Sequence, residues 1–387
     1  MITLISKLFI KNKGKSDAEV RREYGVLLGG VGIALNIFLF IIKCISGILT
    51  GSIAMISDSF NNLSDSGSSL ISLIGFKLSG QKPDTEHPYG HGRFEYVSGL
   101  IISIIIIVMG TELFFSSCKS IASRATVTFN TVSVAILIVS IIVKIYMFYY
   151  NNACSVKFKS AVMKAAARDS LSDCVATGTV LIAAFIYKYT GISLDGYAGV
   201  LVSGFIIYTG ISSAKDTINP LLGSKPDAEY VKKICDFVTS YDGVYGVHDL
   251  VIHDYGAGRT MVSLHVEVPA EGNFVELHDT VDAIERRLQE TLGCHAVIHM
   301  DPVFVNDEDT NRMKRLSELV VKSVDESLSI HDFRMVTGKI HTTLIFDVVM
   351  PFEIGKSEAE LKKEIEDKFA ALPGNLSAVI VVDRPLV

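Results

Sequence analysis

Residues 52–76 read SIAMISDSFNNLSDSGSSLISLIGF, an apolar stretch interrupted by polar side chains at a helical period. Asn61 and Asp65 are spaced i, i+4, and Asp58 lies one turn before Asn61 on the same face. On a helix an i, i+4 pair stands one above the other, about 6 Å apart along the axis. Ser68, Ser69 and Ser72 continue the stripe, so one side of this segment is polar and the rest apolar. Residues 164–185, KAAARDSLSDCVATGTVLIAAF, repeat the arrangement with Asp169, Asp173 and Thr177. Serine and threonine at such positions imply hydrogen bonds between helices. Paired carboxylates need more, because one ionised carboxylate at mid-membrane costs about 2.5–3.5 kcal/mol even on a lenient insertion scale. A divalent cation compensates them. Asn61, Asp65, Asp169 and Asp173 offer oxygen only, a hard donor set that favours Mn²⁺, Mg²⁺ or Fe²⁺ over Zn²⁺. Cys174 adjoins Asp173, but neighbours on a helix diverge by about 100°, so it is not counted as a ligand.

The chain outside these stretches fits a membrane protein with a soluble extension. Of its 387 residues 49% are hydrophobic and 20% charged, and the mean hydropathy is +0.39. Up to about Leu222 the apolarity comes in runs of about 20 residues, each long enough for a hydrocarbon core of about 30 Å. Six spans are expected, centred near residues 37, 65, 106, 139, 175 and 203. Lys7, Lys11, Lys13, Lys15, Arg21 and Arg22 precede the first span. Lys77, Lys82 and Arg93 follow the second, and Lys157, Lys159, Lys164 and Arg168 separate the fourth from the fifth. The opposite connections carry only Lys119, Arg124 and Lys188, so the positive-inside rule puts both termini and the soluble part in the cytoplasm of a multi-pass plasma-membrane protein. Lys43 and Lys144 fall within spans, where snorkelling or pairing near a helix end is the expected role. The net charge of −6 gathers in the soluble part, which argues against nucleic acid as a partner and is compatible with cation binding. The six cysteines form no CxxC and read as packing residues in a reducing compartment.

Beyond Gly223 the pattern is α+β and repeats. Residues 225–304 and 311–387 each read helix, strand, strand, helix, strand. Val-His-Asp-Leu at 247–250 matches Ile-His-Asp-Phe at 330–333, and Asp301 matches Asp383. The expected organisation is therefore a six-helix transmembrane domain (1–222), a ferredoxin-like domain (223–305) and a second ferredoxin-like domain (310–387), in tandem.

Six spans, ligand pairs in the second and fifth, and the loop PDTEHPYGHGRFE at 83–95 together resemble the cation diffusion facilitator transporters. The likeness continues through VHDL, HDYGAGR, LHVEV and VIHMDP to about residue 304. Zinc-transporting members carry His four residues before the fifth-span Asp, where this chain has Asp169. Asn with three Asp is the arrangement of the manganese-exporting bacterial branch, in agreement with the hard-donor argument. The loop's Asp84, His87 and His91 can gather round one ion, and similar transporters place a second metal site there; alternatively His91 and Gly92 serve only a tight turn. The resemblance further implies a homodimer whose cytoplasmic domains bind a regulatory divalent metal through His248, His265, His278, His299 and Asp301. In the second α+β repeat His331 is kept, but Ile345 and Val381 are matched to His265 and His299, so its equivalent site is expected to be lost.

The implied function is export of Mn²⁺ as substrate by proton antiport and alternating access, with no catalytic cofactor and no enzymatic activity. Asp58 is expected to stand behind the ligands or on the ion's path. A broader exporter of Fe²⁺, Co²⁺ or Zn²⁺ is the alternative, and a non-transporting metal sensor a further one. An intramembrane aspartyl protease would need a close dyad, and its GxGD signature is absent.

Overall fold

The computed structural model describes residues 17–50, 53–123, 131–190, 195–256, 258–304, 307–338 and 341–384, less a few side chains, Asp58 among them. Contacts divide the chain into two compact units. The first comprises Met1–Ser224 with Asp254–Gly258, and the second Lys225–His253 with Arg259–Val387.

Among the described residues the first unit holds six long helices: α1 (Asp17–Thr50), α2 (Ile53–Ser79), α3 (Phe94–Ser123), α4 (Thr131–Phe158), α5 (Ala161–Thr190) and α6 (Asp195–Leu222). Five of them, α1 and α3–α6, are long and apolar enough to cross a membrane among the described residues. Their outer faces are apolar, with Ile37, Ile41 and Ile45 on α1, Ile104 and Val108 on α3, and Leu201 and Tyr208 on α6 all exposed. Such a surface is tolerable only against lipid. On α2, Phe60, Leu63, Leu70 and Ile74 are likewise exposed, while Asn62, Asp65, Ser68 and Ser72 are buried, so the polar stripe faces the bundle.

The most extensive packing is α1 on α2, α3 on α6 and α4 on α5. Small residues permit the first of these. A Cβ on Gly25 would sit 2.3 Å from the Phe76 ring, and one on Gly29 2.9 Å from Leu73, so α1 can lie against α2 only with glycine there. Where the loops are basic the helices are joined by charge: Arg21 to Glu95 at 2.5 Å, and Lys164 and Arg168 to Asp216 at 2.8 Å each.

The second unit holds two three-stranded sheets. The first, in order β1 (Gly246–Asp254), β2 (Thr260–Pro269), β3 (Cys294–Val303), is covered by α7 (Ala228–Val238) and α8 (Phe274–Leu292). The second, β4 (Ser329–Thr337), β5 (Thr342–Val349), β6 (Leu376–Asp383), is covered by α9 (Glu308–Lys322) and α10 (Glu358–Ala370). Each sheet has three strands, in sequence order across the sheet. Alternation sends Val262, Leu264 and Val266 of β2, and Leu344, Phe346 and Val348 of β5, into their cores. The opposite face carries His265 and Asp347. Cys44, Cys118, Cys154, Cys174, Cys235 and Cys294 are all free thiols, and burial pushes those of Cys235 and Cys294 up, as packing residues require.

Candidate metal centres

Within the first unit, Asp65 of α2 and Asp169 and Asp173 of α5 each present a carboxylate oxygen within 4.8 Å of the others. Asp65 is 3% and Asp169 8% exposed. One oxygen of Asp65 is buried without a hydrogen-bond partner, so it is a donor that could take a cation. Asn61 is more exposed, but lines the same cavity of about 270 Å³ together with Asp65, Asp169 and Asp173. The i, i+4 spacing therefore does what helix geometry promised: both pairs face one space.

The lysines depart from expectation. Lys43 and Lys144 neither snorkel nor reach a helix end; they are 2% and 4% exposed and both line this cavity. The Lys144 ammonium donates to Asp65 and to Asp173, each at 2.6 Å. It thus occupies the point where two of the carboxylates converge. Sequence reading missed this because the reach of a lysine into a neighbouring pair of helices depends on how α4 lies on α5, which hydropathy does not encode.

Asp169 also borders a second, smaller space of about 20 Å³, room for about one water. Ser68, Ser72, Asn151 and Phe76 line it, on the side toward the basic loops. The two spaces that Asp169 borders thus differ in size, about 270 Å³ against about 20 Å³. The side chain of Asp58 lies outside the described residues.

In the loop between α2 and α3, Asp84, His87 and His91 come together as the spacing allows. His91 Nε2 is 3.3 Å and His87 Nδ1 3.5 Å from the Asp84 carboxylate. The His87 and Glu86 amides donate to Asp84, and the His87 bond is the chief cause that holds this carboxyl below its ordinary range. His91 is 7% exposed and its Nδ1 is buried without a partner. An ion can therefore be held as well as a turn.

In the second unit, Asp301 is the hub of the first sheet's histidines. Its carboxylate lies 2.9 Å from His265 Nδ1, 3.2 Å from His248 Nε2 and 3.4 Å from His299 Nε2. Cross-strand register explains this, since His265 stands opposite His299 and Glu267 opposite Asp301. Asp249, which the sequence did not single out, joins them at 3.4 Å from His248 and 3.8 Å from His265. His278 stands exposed on α8 beside Asp282, apart from these residues within the single chain.

Residues 31–222 match the cation efflux transmembrane domain, and residues 226–303 the cytoplasmic domain of cation efflux proteins. An uncharacterized transporter of Methanocaldococcus jannaschii is 33% identical over 282 residues, covering 73% of this chain and 98% of that protein. The chain belongs to the cation diffusion facilitator family. It is a cation efflux transporter, and its family is one of transporters rather than enzymes. A manganese efflux system protein of Bacillus subtilis is 30% identical over 293 residues, 74% of this chain and 98% of that one. A cation-efflux pump of Salmonella newport is 28% identical over 291 residues, 74% of the transporter and 96% of the pump. The two matched domains end at residue 303, ahead of the second sheet.

Proposed function

We propose that the transporter exports Mn²⁺ from the cytoplasm in exchange for protons. The observation that carries this reading is the buried carboxylate cluster of Asp65, Asp169 and Asp173, which offers oxygen donors without an imidazole or thiolate among its ligands. The likeness to a manganese efflux protein supports the same ion. Fe²⁺ accepts the same oxygens, so a broader exporter is the second reading, favoured by the likeness to a cation-efflux pump.

In this reading residues 1–222 form a six-span transport domain, α2 being the span whose polar stripe lines the path. Residues 223–305 are a metal-responsive cytoplasmic domain and residues 310–387 a second α+β domain. The chain works as a homodimer with both termini cytoplasmic. With the basic loops inside, the wide cavity faces outward and the narrow one inward, so the conformation is outward-open. Lys144 then has a specific task. A divalent cation and an ammonium cannot share the oxygens of Asp65 and Asp173, so metal entry displaces Lys144 and metal release lets it return. The cluster keeps a compensating cation in both states, which lowers the cost of an empty site in a low-dielectric medium. Protons arriving from outside compete for the same oxygens and drive release. Asp84, His87 and His91 hold a second ion, and His248, His265, His299 and Asp301 a regulatory one.

Metal-competition flux in proteoliposomes with an imposed pH gradient tests the reading. Mn²⁺ transport should rise with the gradient and collapse when a protonophore removes it. Asp169→His should move preference toward Zn²⁺; unchanged selectivity would mean that donor hardness is not what discriminates.

A further inference from the structure

The second α+β half lies beyond the matched family domains, and the sequence pattern, which pairs Ile345 with His265, predicts no metal site in it. Strand register corrects that alignment. His265 stands opposite His299, whereas Val381 stands opposite Asp347. With Asp383 equivalent to Asp301, Val381 is equivalent to His299, and the residue in the place of His265 is Asp347. Ile345 and Asp347 are two residues apart and so share a face of the strand. The second half therefore retains His331, Asp347 and Asp383 in the places of His248, His265 and Asp301. Only the fourth place, Val381, has lost a donor.

These residues converge with one from the first half. Asp249, His331 and Asp383 present ligand atoms within 4.8 Å of one another. His331 Nε2 lies 3.7 Å from both the Asp249 Oδ1 and the Asp383 Oδ2 atoms, beyond hydrogen-bond distance but right for two ligands flanking an ion. His331 is 9% exposed, and its Nδ1 is also buried without a partner. A buried imidazole aimed at two carboxylates and bonded to neither is an unsatisfied group that needs an explanation. Asp347 stands opposite His331 across the β4–β5 ladder.

The backbone explains why Asp249 is free to join. Asp249 and Asp332, at equivalent places in the two repeats, both have left-handed φ, 49° and 48°. At Asp332 the ladder shifts register, and consecutive side chains cease to alternate. In the second half Arg334 takes the Asp332 carboxylate at 2.7 Å. The first half has Val251 where Arg334 stands, so Asp249 has no such cation. One of its oxygens faces His331, at 3.7 Å, and the other faces His248 and His265, at 3.4 and 3.8 Å. The rings of His248 and His331 lie 4.8 Å apart, so the two half-sites abut.

We propose that Asp249, His331, Asp347 and Asp383 hold a divalent cation between the two sheets, with Asp249 bridging it to the histidine cluster around Asp301. Three carboxylates and one imidazole make this the harder of the two neighbouring sites. It takes Mn²⁺ more readily than its histidine-rich neighbour, which suits Zn²⁺. Asp249 and Asp383 remain 37% and 39% exposed, leaving the ion a way in. The extra α+β half thereby gains a function: it supplies, within one chain, ligands that clamp it to the first.

The test uses the full-length protein in detergent, carrying Asp65→Asn and Asp173→Asn so that the membrane site does not contribute. After chelator treatment it is titrated with Mn²⁺ alone, and free ion is followed by its paramagnetic resonance signal. His331→Gln and Asp383→Asn should each lower bound Mn²⁺ by one equivalent per chain, or weaken that equivalent at least tenfold, while His299→Gln should not. Unchanged Mn²⁺ binding in both variants overturns the proposal. Should either variant elute as an aggregate, Asp347→Asn carries the test with the same two outcomes.

Discussion

The Lys144 ammonium is the residue that decides how the buried carboxylates behave without metal. Held at 2.6 Å from Asp65 and Asp173, it is their counter-ion, and in the proposed function it is also the competitor of the incoming ion. Lys144→Gln removes the competitor and leaves three carboxylates to the metal alone. Mn²⁺ affinity should rise about tenfold, or about 1.4 kcal/mol, while turnover falls because release loses its replacement cation. Binding by paramagnetic resonance and flux in proteoliposomes read the two separately; weaker binding would show that Lys144 merely positions the carboxylates. Asp65→Ala and Asp173→Ala should each abolish Mn²⁺ flux while the protein still inserts and elutes normally, and retained flux in both would remove the proposed site. The pairing of the acidic residues on one face was legible in the sequence because i, i+4 spacing is a property of a single helix. Lys144 was not, nor was the equivalence of Asp347 with His265, because the first depends on helix packing and the second on strand register.

Elements were read reliably where period and capping agree. Helices α1 and α3–α6 announce themselves by hydropathy, whereas α2 is diluted by the very residues that make it useful, and its apolar stripe shows only once the bundle is assembled. In the soluble part α10 begins with a complete capping box: the Ser357 hydroxyl accepts from the Glu360 amide, and the Glu360 carboxylate accepts from the Ser357 amide. Ser357→Ala should cost about 1 kcal/mol, and so speed hydrogen exchange of the 358–370 amides about fivefold. The Ser357 amide first, and the Ser357 hydroxyl next, donate to the Glu360 carboxylate and hold it below its ordinary range. A depressed folded-state pKa means that the contribution is present above the unfolded value, about 4.3, and is lost as pH falls through the folded one. Protection of the first turn of α10, corrected for intrinsic rate, should therefore decline on acidification below about pH 4 in wild type and be flatter in Glu360→Gln.

For the whole transport unit, the distribution of charge and of empty space suggests how access alternates. Three features coincide at the end with the basic loops: the ion pairs Arg21–Glu95 and Lys164/Arg168–Asp216, the Gly25–Phe76 contact, and a space of only about 20 Å³ beside Asp169. Glu95 is 2% exposed and also accepts from Ser160, so its charge is closely held. Removing one partner of a buried pair leaves the other uncompensated, a penalty of about 3–5 kcal/mol that opening to water relieves. Glu95→Gln should therefore shift the population toward an inward-open state, since a few kcal/mol suffice to reverse a two-state preference. A reporter placed in the narrow space measures this. In a background with the six native cysteines replaced, Ser72→Cys should be labelled slowly by an impermeant maleimide applied to the face bearing the basic loops, and at least tenfold faster once Glu95→Gln is added. Asn61→Cys, on the wide side, should show the opposite trend from the other face. Equal labelling of residue 72 with and without Glu95→Gln would mean that helix packing, rather than these ion pairs, keeps the inner path shut.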